Sequence, residues 1–208
     1  LSSQKSITIL SGANLDKIKP KMVFEYKVKI LFMGRLIEEK GVLELIRAFN
    51  AIPSDIQNSA ELIIIGGVSF GSRKETDYLK KLKKEAFANK SIKFTGALVH
   101  SEVIDYLDNS NILVVPSIWN EPFGLVVTEG LASGKCIIAS DKGGIPEVLG
   151  DAGLLINPLN TYEFSAALAG LISDKEKIKE LGRKARKRAE ENFSWSRVAL
   201  ECKTLFLQ

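Results

Sequence analysis

Short β-branched apolar runs, each closed by Gly, Pro, Ser or Asn, alternate with longer amphipathic stretches along this 208-residue chain. The runs are KILFMG (29–34), LIII (62–65), IKFTG (92–96), ILVVP (112–116), CIIA (136–139) and GLLIN (153–157). They read as strands apolar on both faces, as in a buried parallel sheet. Between them the period changes. After Gly41, VLELIRAFNAI places Leu43, Ile46 and Phe49 with Val42, Leu45 and Ala48 on one broad helical face. TDYLKKLKKEAFAN carries a Tyr78, Leu79, Leu82, Ala86 stripe, with Asp77 in its first turn, where a negative charge suits the helix dipole. HSEVIDYLDNS offers Ser101 as N-cap, and EPFGLVVTEGLASG reads as a helix opening at Pro122 and ending at Gly134. From Asn160 onward the pattern is helical, with breaks near Ser173–Asp174 and Asn192–Ser194. Strand and helix in alternation imply an α/β fold: a right-handed, doubly wound parallel sheet with helices on both faces. Such sheets bind ligands beyond the C-terminal strand ends, near a switch in strand order.

The length fits one domain over residues 1–208, with 1–27 as a lead-in segment and 192–208 as a terminal helix. A chain of this size buries roughly 70% of its unfolded surface, so its fold needs no disulfide or metal. Lys and Arg number 29 against 25 Asp and Glu, giving +4. That mild excess suits an anionic ligand or surface, and no nucleic-acid partner is expected. Cys136 and Cys202 are too few for a disulfide scaffold, so a reducing, cytoplasmic setting is expected. One histidine, His100, precludes a site built on two His ligands. Leu62–Ile65 is far shorter than the ~20 residues of a membrane span. The chain opens on Leu1 rather than Met and is read as a fragment.

Strand-end segments carry the candidate chemistry. In MGRLIEEKG, Gly34 lets the backbone turn closely, and Arg35 and Lys40 can converge on one anion. Alone, such a pair also reads as a solvated surface pair. In EPFGLVVTEG, Glu121 and Glu129 lie eight residues apart. On a helix opening at Pro122 they would be separated by about 12 Å of rise. That is too far for one scissile bond and right for the two ends of an extended ligand. Between them, the amides of Phe123, Gly124 and Leu125 would form a helix N-terminus suited to an anion. Either glutamate alone reads equally as an ordinary surface residue. In SDKGGIPEVLG, Gly143 and Gly144 would expose further amides before a helix. Gly66, Gly67 and Gly71 form a glycine-rich loop at the same sheet edge, or merely a turn. No dinucleotide-type or Walker-type glycine loop follows the first strand.

ILFMGRLIEEKGVLELIRAF, EPFGLVVTEGLASGKCIIASDKGGIPEVLGDAGLLINP and the upstream SGANLDKIKP resemble the C-terminal domain of family-four retaining glycosyltransferases of the GT-B fold, a Rossmann-like half. The resemblance runs from about Ile7 to the end. Gly130 and Ser133 depart from it, standing where the family often has Ala, as does SGAN before Leu15. It implies a donor-binding domain that takes a UDP-sugar or GDP-sugar, with no cofactor and no metal. Arg35 and Lys40 match the pair holding the diphosphate, and Glu129 the glutamate on the ribose diol. Glu121 matches the catalytic-site glutamate on the donor sugar hydroxyls. Gly34, Phe123, Gly124, Leu125 and Gly144 fall in loops that meet phosphate and sugar, and Leu98 and Val99 in the stretch that meets the base. The family's acceptor-binding N-terminal domain, with its catalytic histidine, is expected as the missing partner, and His100 does not match that histidine. The fragment is therefore expected to hold donor yet transfer sugar poorly.

Lys80, Lys81, Lys83, Lys84 and the RKARKR run (183–188) read first as solvated helix faces. Their second reading is peripheral contact with the inner, anionic face of a membrane, as in relatives that build lipopolysaccharide and other bacterial polysaccharides. Phe193 and Trp195 are expected to pin the terminal helix onto the fold. A sugar-nucleotide epimerase on the same scaffold, or a non-catalytic nucleotide-binding module, stands as the competing reading.

Overall fold

The computed structural model describes residues 10–13, 15, 18–67 and 76–207. Six parallel strands form one sheet: β1 (Val28–Met33), β2 (Ala60–Ile65), β3 (Ile92–Gly96), β4 (Ile112–Val115), β5 (Cys136–Ser140) and β6 (Leu154–Ile156). Their order is β3-β2-β1-β4-β5-β6, the Rossmann-like arrangement. The connecting helices are α1 (Val42–Asn50), short α2 (Ser54–Gln57), α3 (Asp77–Ala86), α4 (His100–Asp108), α5 (Leu125–Ala132), α6 (Ile145–Leu149) and α7 (Thr161–Ser173). α8 (Lys175–Asn192) and α9 (Trp195–Phe206) complete the chain.

The strand pattern explains the layers. Ile30 and Phe32 of β1, Leu62 and Ile64 of β2, and Ile112 and Val114 of β4 point to one face. They pack against Leu45, Ile46 and Phe49 of α1 and Phe164 and Leu168 of α7. Leu31, Ile63, Leu113 and Ile137 take the other face, under Leu107 of α4, Val127 and Leu131 of α5 and Val148 of α6. Each such side chain contributes about 1.5–3 kcal/mol on full burial. The two-residue period thus loads both faces, which is why the strands read as unbroken apolar runs. α8 joins the layers: Ile178 and Leu181 belong to the first core, Ala185 and Ala189 to the second.

Polar ties lace the lead-in segment onto this body. Lys135 is fully buried, and its ammonium donates to the carbonyls of Lys21 (2.5 Å), Asp108 (2.9 Å) and Ser110 (3.1 Å). Burial pulls its pKa down to about 8, against the attraction of Asp108. Arg186 Nη1 donates to Ile18 O (2.9 Å) and Ala132 O (2.7 Å), closing the C-terminal end of α5. Ala13 forms a single parallel bridge to Ser194 and donates to Phe193 O (2.7 Å). The expected strand-loop is thus, over its described residues, a strap fastened by side chains.

The terminal aromatics divide. Phe193 is fully buried and meets Phe123 edge-to-face at 6.2 Å. Trp195 stays 55% exposed, its indole lying against Gly12, and α9 buries no residue. Phe193, rather than the pair, is therefore the pin. The basic clusters are laced by ion pairs such as Lys80–Asp77 and Lys184–Glu180, as solvated helix faces are. Among the described residues no helix is long and apolar enough to cross a membrane.

Candidate functional site

The order reverses between β1 and β4, so the chain leaves a crevice at their C-terminal ends. Glycines set its floor. Gly66 (φ 147°) lies where a Cβ would come 1.8 Å from the Gly34 carbonyl, so only glycine admits this crossing. Gly34 donates to Ile65 O and Gly66 to Gly96 O, tying three strand ends together. Gly71, the third glycine of that loop, lies outside the described residues.

On the near side of the crevice a 3-10 turn (Glu38–Lys40) precedes α1. Gly41 caps α1 at φ 67°, and a Cβ there would stand 1.8 Å from Pro116 O. Ile118 N donates to Glu39 O at 2.9 Å. This close crossing lays the turn on the segment after β4 and delivers Lys40 to Glu121. Their side chains form an ion pair, and Ser117 Oγ donates to the same Glu121 oxygen at 2.9 Å. Lys40 Nζ also lies 5.6 Å over the Trp119 ring. Burial would raise the Glu121 pKa. The hydrogen bonds from Lys40, Trp119 and Ser117 outweigh it and hold the carboxyl below its ordinary range. Lys40 is thus the last residue of the turn, and it meets Glu121. Arg35 is exposed and makes no hydrogen bond or ion pair among the described residues.

The helix carrying Glu129 starts later than its proline suggests. Gly124 is the N-cap at φ 89°, and α5 begins at Leu125. Pro122 and Phe123 belong to a loop set by Gly143 and Gly144, where added Cβ atoms would meet Glu121 O at 2.2 Å and Pro122 O at 2.4 Å. Only about 6 Å of helical rise therefore separates Leu125 from Glu129, and the 12 Å ladder does not exist. Val127 and Thr128 donate to Gly124 O, so within the first turn of the helix the amides of Leu125 and Val126 have no intrahelical partner. Gly144 is corrected likewise: its amide donates to Glu121 O at 2.7 Å and supports the glutamate's backbone instead of facing a ligand.

Glu129 lies in a cleft of about 290 Å³ between α4 and α5. Met33, Val103, Thr128 and His100 line it, with Gly12 and Ile18 of the lead-in strap. Burial raises the Glu129 pKa, opposed by the charge of His100. Thr128 buries a hydroxyl with no partner among the described residues. Leu98 and Val99 form the loop into α4, Val99 64% exposed. Val99, not Ser101, caps that helix, and the Glu102 carboxylate accepts its amide hydrogen at 3.1 Å. Gly130 has its own reason to lack a methyl: a Cβ there would come 2.4 Å from Leu113 Cδ2, so glycine lets α5 settle on β4.

Ser117, Trp119 and Gly41 were not legible as site residues. Only the position of Ser117, just past an apolar run, pointed to a strand end. Among the described residues no group of His, Cys, Asp and Glu could hold a metal ion.

Residues 15–188 match the family described as glycosyl transferases group 1. The chain is 34% identical over 180 residues to D-inositol 3-phosphate glycosyltransferase of Corynebacterium glutamicum, covering 85% of this chain and 42% of the relative. Its fold superposes on sucrose-phosphate synthase from Thermosynechococcus elongatus with a TM-score of 0.81 and 28% identity, covering 96% of this chain and 51% of that one. It also superposes on HepE from Anabaena, solved with UDP and glucose, with a TM-score of 0.76 at 23% identity over 88% of this chain and 49% of that one. The chain spans about half the length of the curated relatives it matches.

Proposed function

The chain belongs to the group 1 glycosyl transferases, and from that premise we propose that it is the donor-binding domain of a retaining glycosyltransferase, taking a hexose from a nucleoside diphosphate sugar for transfer to a glycan or lipid-linked acceptor. The observation that carries this reading is the meeting of Lys40 and Glu121 at the strand-order switch, with Glu129 in a cleft on the helix that follows Glu121. Arg35, Lys40 and the amides of Leu125 and Val126 supply positive groups for a diphosphate. Glu129, at the cleft, accepts from the ribose diol. The loop at Leu98 and Val99 meets the base. Glu121, kept ionised by its neighbours, accepts hydrogen bonds from the sugar hydroxyls near the reacting carbon.

When the bond from the anomeric carbon to the diphosphate oxygen breaks, negative charge grows on the departing oxygens. Fixed cations and helix amides there stabilise the transition state more than the ground state. No divalent metal is needed in this scheme. HepE, solved with UDP and glucose, supports the donor class. The acceptor and the remaining catalytic groups come from the other half of the enzyme, so this chain alone binds donor and transfers sugar poorly. Peripheral contact of the basic α8 surface with an anionic membrane belongs to the same reading.

A thermal-shift panel of UDP, GDP, ADP and NAD, run in EDTA, tests it. UDP or GDP should raise the midpoint by several degrees at saturation. A shift with NAD alone, or with none of the nucleotides, would overturn it.

A further inference from the structure

His100 is the first residue of α4 and lines the α4–α5 cleft that holds Glu129. It stands one residue beyond the exposed Val99, at the mouth of that cleft. Nothing in the reaction scheme above uses it. The cleft is otherwise largely apolar, lined by Met33, Val103, Ile104 and Leu107. A carboxylate in such surroundings is a poor anion unless a positive charge is near. The charged groups around His100 are few. Glu102, on its own helix, is occupied with the Val99 amide. Lys19 enters the cleft from the lead-in strap, and Glu129 from α5. Asp108 lines it from the far end of α4, about 12 Å away along the helix. Of these, His100 is the one whose charge acts on Glu129.

We propose that His100 is a donor-binding residue: its imidazole closes the mouth of the nucleoside cleft beside Glu129, and its protonated form holds the donor more tightly than its neutral form. The proposal rests on the reading that Glu129 meets the ribose. The protonated ring offers the bound anionic nucleotide a positive charge and a charge-assisted N–H, whereas the neutral ring keeps one N–H but no charge, so the added affinity fades as pH rises.

The test is the affinity for UDP, or for GDP if that is the nucleotide bound, at pH 6 and pH 8, in the unaltered chain, His100→Gln and His100→Arg. The terminal phosphate also titrates in this range, but identically for all three proteins, so differences between them isolate the imidazole. The unaltered chain should lose about three- to fivefold more affinity between the two pH values than His100→Gln, as expected of one partly exposed charged contact. His100→Arg should bind at pH 8 as tightly relative to pH 6 as the phosphate alone dictates. In parallel, the proton resonances of the single imidazole should move on saturation with nucleotide. Identical affinities and pH ratios in the unaltered chain and His100→Gln, or an unmoved imidazole, would overturn this proposal alone. No binding of either nucleotide to the unaltered chain would overturn the donor reading and the proposal with it.

Discussion

Lys40 and Glu121, 81 positions apart in sequence, meet as an ion pair at the C-terminal ends of β1 and β4. Two groups that the family resemblance sends to different parts of a donor, diphosphate and sugar, thus begin as each other's partners. The glutamate is held ionised, and the lysine is stored within reach of the crevice. On the proposed reading, donor binding would exchange one anionic partner of Lys40 for another, which would limit the desolvation cost of recruiting it.

Glu121→Gln separates the two roles. It removes the sugar-side carboxylate and releases Lys40. Affinity for UDP should stay equal or rise, while the extra affinity contributed by the hexose of UDP-glucose or its counterpart should disappear. Calorimetry with both ligands checks this. Loss of UDP affinity in a folded Glu121→Gln protein would place Glu121, not Lys40, at the diphosphate.

The same variant carries a pH signature. The Glu121 pKa is lowered in the folded state, so its contribution to stability is present above the unfolded value of 4.5 and fades as pH falls through the lower folded value. At pH 7, Glu121→Gln should be less stable by about 1–2 kcal/mol. The gap should narrow below the ordinary carboxylate range. Urea titrations at pH 7 and pH 3.5 measure it, and a constant gap would contradict the pairing.

Much of the architecture was open to reading from residues alone. KILFMG and CIIA fall within a residue of β1 and β5 because strands covered on both faces are simply apolar runs. The breaks at Ser173–Asp174 and Asn192–Ser194 hold because Asp174 and Ser194 cap the helices that follow. The site was legible in its residue types and less so in its geometry. Pro122 looked like a first helical position, yet the helix waits for Gly124, whose left-handed turn is packed against Ile145 at the start of α6. Gly144 looked like an open amide, yet Glu121 takes its hydrogen. Such contacts depend on chain segments that meet only in three dimensions, and no local pattern encodes them.

Gly41 and Gly170 should answer oppositely to the same methyl. At Gly41, alanine meets both a left-handed backbone and Pro116 O at 1.8 Å. Gly41→Ala should cost at least about 2 kcal/mol and loosen the Lys40–Glu121 pair. Inside α7, Gly170 has nothing within 4 Å of an added Cβ. Gly170→Ala should stabilise by about 0.5–1 kcal/mol through helix propensity. Denaturant midpoints of the two variants moving in the same direction would refute the close crossing at Gly41.

Lys135 makes stability rise in mild alkali. Its folded pKa is about 8 against 10.5 for the free side chain, so between those values the unfolded chain binds the extra proton. Stability therefore increases with pH across that window, by up to about 3 kcal/mol at 1.36 kcal/mol per unit. Lys135→Met leaves three carbonyls without their donor and should be less stable at pH 7. Its deficit against the unaltered chain should widen between pH 8 and pH 10. A deficit that stays flat would show that the ammonium is not buried as described.

The most direct test of the central claim, that this crevice holds a nucleoside diphosphate by its own cations and amides, is a calorimetric titration in EDTA comparing UDP with UMP and GDP with GMP. One diphosphate should bind at least about tenfold more tightly than its monophosphate, a difference of about 1.4 kcal/mol. Glu129→Ala should weaken it by one to two orders of magnitude, the size of hydrogen bonds to a charged acceptor. Equal affinity for mono- and diphosphate, or binding that vanishes in EDTA and returns with Mg²⁺, would contradict it.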